Sequence, residues 1–523
     1  MTSSQASFPA PDSSSPTAAV AGHPKPWSSD DRRPIVAIAG ASGFVGTTLR
    51  LALSPRFRLL GLTRSPNRAR QRDDGSGTRW VHCDLFSLRE VREQLEGADY
   101  AIYLVHSMEA SARLVQGDFT DLDLILADNF SRAAEAAKIR QIVYIGGLIP
   151  EQRPLSPHLA SRLEVEETLG CCTTPLTSLR ASLIVGAGGS SLQILLNLVR
   201  RLPVMIRPSW CRSRTQPIAL VDVVRAVDAC LGDEDTFGRV YDIGGPDVMS
   251  YAEMLRRTAR VLGKRRLMFD APFFSARLSK LWVSVVAQAP RALVGPLVES
   301  LRHDMVAGDN ALQRALAPAA IGFDDALRAS LDGRAGRPSP RVAMRRRDRQ
   351  TIRRARRVRS VQRLPMPTDR DAEWVRREYA RWLPRFVFPL MRCEVGDDNV
   401  YRFKVRVVGV TLLELTFSPE DSTPDRQLLY VTGGLLARLD GDRRGRLEFR
   451  TADGGKALIA AIHDFSPTLP WYLYSVTQAQ AHLWVMRGFG RHLRRITGRT
   501  RRTAGERAAG SRSGDMVDTA GPV

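Results

Sequence analysis

Gly40, Gly43 and Gly46 recur at every third position between an apolar run, Ile35–Ala39, and an apolar-faced segment that ends near Leu53. No other feature constrains the fold as tightly. A buried strand that turns at once into a helix needs residues without a Cβ at the junction, so that strand, turn and helix can approach one another. The helix opening there offers unpaired amides and a partial positive charge to whatever sits above the turn. An anion held by backbone N–H groups suits that arrangement, and a strand before with a helix after is the setting of a dinucleotide's diphosphate. Ser42, Phe44 and Val45 belong to the same turn and count with the three glycines as coenzyme-binding candidates.

The segment leaving the second expected strand reads Leu62-Thr63-Arg64-Ser65. An enzyme that prefers NAD(H) places an acid there to accept from the ribose 2′-hydroxyl, and an acid would repel a 2′-phosphate. Arg64 instead offers a fork of donors and Ser65 a hydroxyl, so NADP(H) is expected and NAD(H) is the weaker reading. An ordinary arginine in an arginine-rich chain is the plainer alternative.

Apolar runs bounded by turns alternate with helical patterns over residues 34–245, which is how a parallel α/β sheet reads. Strands are expected at 35–39, 58–62, 79–83, 100–105, 142–145 and 177–185. Between the fourth and fifth lies a long helix whose core face holds Leu122, Ile125, Leu126, Phe130 and Ala133. Ser250 and Glu253 form a capping box at the start of a later helix, and residues 271–331 read as mostly helical. Beyond them strands are expected at 401–410, 411–417, 428–439, 446–449 and 459–465, followed by a helix over 473–493.

The fold class is therefore a doubly wound parallel sheet followed by a separate α+β domain with an antiparallel sheet and a long C-terminal helix. The expected boundaries are a disordered leader at 1–33, a Rossmann domain at 34–331, an arginine-rich linker at 332–365, the second domain at 366–496 and a disordered basic tail at 497–523.

The formal net charge of +22 is concentrated rather than spread. Residues 334–363 carry thirteen arginines against one acid, Asp348, and a second basic run covers 487–512. Neither nucleic-acid sequence reading nor single-strand stacking is expected, because the first run lacks interleaved aromatics. It reads as a solvated linker, with docking on an anionic membrane, or on nucleic acid without sequence reading, as the alternative. No apolar run reaches the roughly 18 residues of a membrane span. Six cysteines without metal-ligand spacing and a start unlike a secretory signal point to a reducing cytoplasm.

The GASGFVG turn, Cys83-Asp84-Leu85, QPIALVDV at 216–223 and YDIGGPDVMSYAEML at 241–255 resemble the atypical, extended branch of the short-chain dehydrogenase/reductases. The resemblance covers 34–331 and extends to NmrA-type redox sensors and to the nucleotide-binding accessory subunit of respiratory complex I. It implies that Asp84 bonds the adenine amino group beside Leu85, and that Val105, His106 and Ser107 lie along the ribose and nicotinamide. It also exposes a departure. Active members carry a Ser at the end of the fifth strand and a Tyr-x-x-x-Lys pair on the next helix. Here Gly146 and Gly147 occupy the first place, and His158 and Arg162 hold the spacing of the pair.

Without that pair the usual proton exchange with a substrate carbonyl cannot run. His158 is then either a substitute acid, with Arg162 on the nicotinamide ribose, or a helix-start histidine on a scaffold that has lost its chemistry. The second domain, through VTGGLLARLDG at 431–441 and HDFSPTLPWYLY at 463–474, resembles a helix-grip-like domain of unknown function in a bacterial group of NAD(P)-binding proteins. Phe386, Phe388, Trp471, Tyr472, Tyr474 and Trp484 line a ligand cavity there or form its core. No metal is expected.

The expected function is an NADP(H)-dependent oxidoreductase acting on an apolar or quinone-like small molecule by a non-standard mechanism, with the second domain covering the nicotinamide end. A non-catalytic NAD(P)(H)-binding sensor or assembly protein is the alternative.

Overall fold

The computed structural model describes residues 31–70, 76–106, 115–270, 299–331, 358–388, 391–396, 399–439 and 445–514. The expected leader lies almost wholly outside them. Strand β1 (Ile35–Ala39) alternates its side chains between two cores: Val36 and Ile38 enter one, Ala37 and Ala39 the other. A strand covered on both faces has no polar side, which is why the run is apolar throughout. Helix α1 (Phe44–Leu53), β2 (Arg58–Thr63), β3 (Thr78–His82), α2 (Leu88–Leu95) and β4 (Tyr100–Tyr103) follow. After β5 (Val115–Gln116) come α3 (Phe119–Ala136), β6 (Gln141–Gly147), α4 (Pro157–Leu169) and β7 (Leu176–Ala181). Helices α5 (Ser190–Arg201) and α6 (Leu220–Cys230), strand β8 (Val240–Ile243) and α7 (Tyr251–Val261) complete this part.

The strands order as β8-β7-β6-β4-β1-β2-β3 and every pairing is parallel. The order reverses direction between β1 and β4, so the crevice of this doubly wound sheet opens beside the Gly40 turn. The strand expected over 177–185 divides, because Ile184 and Val185 leave β7 to pair with Ile218 and Ala219 in a separate two-stranded sheet. Ser250 caps α7 by accepting from the Glu253 N–H at 3.1 Å, one half of the expected capping box, while the Glu253 carboxylate accepts from Arg256 at 3.0 Å. Most of the expected helical stretch, residues 271–298, lies outside the described residues; further on, helices occupy Ala311–Leu316 and Phe323–Leu331.

The second sheet corrects the linker. Residues 358–364, assigned from their arginines to a solvated connection, form strand β9 (Val358–Leu364) of the sheet, with Val358 and Val361 fully buried. Its arginines are neutralised by acids of the first domain: Arg363 meets Asp121 at 3.0 Å and Glu164 at 2.6 Å, and Arg359 pairs with Asp84. After β9 come α8 (Ala372–Val387), β10 (Met391–Val395), β11 (Val400–Val405), β12 (Thr411–Phe417) and β13 (Arg426–Gly433). Strands β14 (Arg446–Ala452) and β15 (Ala457–Phe465) precede a short helix, Trp471–Val476, and α9 (Gln478–Gly514).

The order is β10-β11-β12-β13-β14-β15-β9-β5, antiparallel until the last pair. The first domain thus supplies the edge strand, β5, through Arg359 beside Val115 and Ser360 beside Gln116. Helix α9 runs past residue 497, where a disordered tail was expected, because Arg, Ala and Glu there are good helix formers. Among the described residues no helix is long and apolar enough to cross a membrane.

Val361, Ala452, Ala457, Ile459 and Ala461 share one core with Leu122, Ile125 and Leu126 of α3. The second domain therefore lies on the face of the Rossmann sheet that α3 covers. On its other face Tyr379, Leu383, Phe489 and Leu493, from α8 and α9, pack into the second core.

Candidate coenzyme site

The turn after β1 is built as the glycine spacing demands. Gly40 has φ +87°, a left-handed conformation that side chains disfavour, and a Cβ there would meet Leu104 Cβ at 3.0 Å. The Gly43 N–H donates to the Gly40 carbonyl at 2.9 Å, closing the turn. A Cβ on Gly46 would come within 2.5 Å of the Gly40 oxygen. Gly43 caps α1 without a side-chain hydrogen bond, which leaves the first helical amides to an incoming anion. The cradle fits a diphosphate.

Gly40, Gly43, Phe44, Val45 and Gly46 form one wall of a cavity of about 460 Å³. Val105, His106, Gly146 and Gly147, at the carboxyl ends of β4 and β6, form the next wall. His158 and Arg162, one turn apart on α4, close that end. Away from the turn the cavity becomes an apolar lobe bounded by Leu195, Leu198, Met205, Trp210, Met254 and Met305. All its described lining residues lie between Gly40 and Met305, so no described residue of the second domain covers this end, contrary to expectation. It is held on the α3 face, where its own small apolar residues and arginines find partners.

The remaining candidates stand apart from this cavity. Ser42 is exposed on the turn, and Ser107 lies outside the described residues. Arg64 and Ser65 leave β2 as Asp84 and Leu85 leave β3, and the Cys83 N–H donates to the Thr63 carbonyl at 2.9 Å where the strands part. Ser65 accepts from the Arg68 N–H at 3.2 Å, capping the short helix Pro66–Ala69. The Leu85 carbonyl accepts from the Asn129 amide at 2.8 Å. Asp84, expected on the adenine amine, is engaged by Arg359: burial pushes its carboxyl up, and the Arg359 charge outweighs this and holds it below the usual range. No feature of residues 34–331 announces that pairing, since the partner comes from β9.

The sequence reading also missed Asp123, which pairs with Arg162 in the interior; both side chains are under a tenth exposed. The signal was an acid on the apolar face of α3, next to Leu122 and Leu126. Tyr144 donates to the Arg162 carbonyl at 3.3 Å, and the Arg162 Nε–H is buried without a hydrogen-bond partner. The His106 and His158 rings lie 6.0 Å apart. Burial and the Arg162 charge lower His158 to about 4, and burial, Arg162 and His158 lower His106 to about 3. Both are neutral near pH 7, so His158 offers a hydrogen bond and not a ready imidazolium proton.

A folded-state pKa below the unfolded value of 6.5 means that the unfolded chain binds more protons between those values. Stability therefore falls as pH drops through that window. A His158→Phe variant should lose less of its urea midpoint between about pH 7 and pH 5 than the wild type does. Equal losses would show that the imidazole is hydrated in the folded chain.

In the second domain, the described aromatic candidates divide: Tyr474 is core, Phe386 is partly buried against it, and Phe388 and Trp484 are exposed. Phe386 lies 4.3 Å from both Trp382 and Trp484, and Tyr474 is buried against Phe465, whereas Phe388 is exposed. The side chains of Trp471 and Tyr472 lie outside the described ones.

A protein-family profile described as NAD(P)H-binding matches residues 40–164. Auxiliary protein GraX of Staphylococcus aureus (strain NCTC 8325 / PS 47) is 31% identical over 115 residues, 22% of this chain and 37% of that protein. The chain thus spans little more than a third of that relative. Among solved structures, a nucleoside-diphosphate-sugar epimerase from Staphylococcus aureus is 16% identical over 56% of this chain and 99% of its own, with a TM-score of 0.46. The triphenylmethane reductase of Citrobacter sp., complexed with NADP(H), is 15% identical over 57% of this chain and 99% of its own, with a TM-score of 0.45. The glycine cradle, the switch point beside it and the profile match over the same residues agree: residues 40–164 of this chain belong to an NAD(P)H-binding domain.

Proposed function

We propose that the chain binds NADP(H) and acts as an oxidoreductase on a flat apolar acceptor such as a quinone. The observation that carries this reading is one continuous cavity joining the glycine cradle to the apolar lobe. The α1 amides hold the diphosphate, and Arg64 and Ser65 take the 2′-phosphate. The bound coenzyme supplies the hydride chemistry.

The chain's own groups do the rest. Leu195, Leu198, Met205, Trp210 and Met254 exclude water and align an apolar ring. Arg162, kept in place by Asp123, and neutral His158 present donors where an acceptor oxygen would gain charge. Tyr251 and Cys211 also line the cavity, but burial pushes each up to about 12, so neither is a ready base.

A nucleotide-responsive protein without turnover is the second reading. Its support is specific: His106 and His158 are both neutral and Arg162 is committed to Asp123. Calorimetric titration with NADPH and NADH, followed by NADPH absorbance with quinones, aldehydes and enones, separates the two. Tighter NADPH binding and steady oxidation with a quinone are expected. Binding with silence across all acceptors leaves the sensor reading in place.

A further inference from the structure

We propose that Arg359, brought to the first domain by the C-terminal sheet, determines coenzyme choice by neutralising Asp84 at the adenosine end of the site. The inference rests on the NADP(H) reading above and extends it to a residue nearly 300 positions beyond the second strand.

Arg64 and Asp84 emerge side by side from β2 and β3, whose last paired residues are Thr63 and His82. The ribose 2′ position of a dinucleotide falls at the end of the second strand, so Asp84 stands beside the place where a 2′-phosphate would go. An uncompensated carboxylate there would repel the phosphate, which carries roughly −1.5 to −2 charges near neutral pH. Arg359 removes that repulsion.

Its guanidinium pairs with both Asp84 oxygens and lies 4.7 Å over the Phe86 ring. Asp464 of β15 stands 3.6 Å behind it and is itself held by Arg446 at 3.1 Å. The backbone fixes the placement, because β9 pairs with β15 on one side and with β5 of the first domain on the other. Arg64 belongs to the same electrostatic neighbourhood: loss of hydration lowers its pKa, Asp84 raises it and Arg359 lowers it.

The test is calorimetric titration of the full chain with NADPH and with NADH at low salt and about pH 8, where a bared Asp84 carboxyl is ionised. Arg359→Met should weaken NADPH binding roughly tenfold or more and leave NADH within about threefold. Arg359→Lys, which keeps the charge, should stay near wild type. Adding Asp84→Asn to Arg359→Met should restore NADPH binding, a rescue that a purely structural role for Arg359 would not produce.

An unchanged NADPH-to-NADH ratio in Arg359→Met, or equal loss of both coenzymes without rescue, overturns the proposal and leaves the coenzyme reading intact. Should Arg359→Met fail to fold, Asp84→Asn alone decides. It leaves the Arg359 charge opposed only by Asp464 at 3.6 Å and should raise the preference for NADPH several-fold, and an unaltered preference overturns the proposal. A wild-type chain that binds neither coenzyme removes the coenzyme reading itself, and this inference with it.

Discussion

A Gly46→Ala variant is expected to lose NADPH affinity by roughly a hundredfold or more while keeping its secondary structure. The added Cβ would lie 2.5 Å from the Gly40 oxygen, 2.8 Å from Ala41 Cα and 2.9 Å from the Ala41 carbonyl carbon. All three obstacles are backbone, so no change of rotamer relieves them. Helix α1 must back away from the turn, and its first amides then no longer converge on the diphosphate. Overpacking of this kind costs about 1–3 kcal/mol of stability, within reach of a domain this size. Gly43→Ala is the graded comparison, since its Cβ meets only the Gly40 oxygen, at 3.1 Å, and it should bind more tightly than Gly46→Ala. Near wild-type affinity in a folded Gly46→Ala protein would remove the turn from the coenzyme site.

The parts legible in the sequence are those where one local rule dominates. Strand β1 is apolar throughout because both faces are covered, and the capping box at Ser250 needs only residues three apart. The core face of α3 was readable from its period, yet the same helix hid two buried acids, Asp123 and Asp128, whose partners Arg162 and Arg450 come from elsewhere in the chain. Charge misled most at residues 358–364. Thirteen arginines over thirty residues suggest solvation, whereas Arg359 and Arg363 pair with acids of the first domain and their neighbours Val358 and Val361 are core. Composition measures how much charge a segment carries, and only the fold shows which acids lie opposite.

The same partnership decides where the second domain sits. Topology alone places a partner domain beside the crevice at the strand ends, because ligands gather there. The α3 face competes for it with apolar surface and with paired acids, and the described residues of the second domain take that face. The cavity beside the glycine turn and the described residues of the second domain thus do not enclose one pocket.

Replacing Arg450 with Met should destabilise the chain by about 3 kcal/mol or more, the largest stability effect expected of any single side chain at the domain contact. Arg450 is 1% exposed; it bonds Asp128 at 2.6 Å, Asn129 at 2.7 Å and Glu448, and so joins the second sheet to α3. Met fills most of the volume, so the cost is electrostatic: Glu448 keeps Arg426 at 2.8 Å and His463 at 3.0 Å, and Asp128 keeps Arg132 at 2.9 Å, but each loses its most buried counter-charge. In the wild type, burial pushes Glu448 up while Arg426, Arg450 and His463 hold it well below the usual range, so its contribution is full above the unfolded pKa and is lost progressively as pH falls below it. Without Arg450 that folded pKa rises, protonation relieves the buried charge, and the gap between variant and wild type should narrow as pH is lowered from about 8 to about 5. Urea unfolding at the two pH values measures both claims. A loss below about 1 kcal/mol would mean that apolar contact between Ile459, Ala461 and α3 holds the domains together and that the arginine network is incidental, and a larger loss of equal size at both pH values would mean that Glu448 stays ionised in the variant.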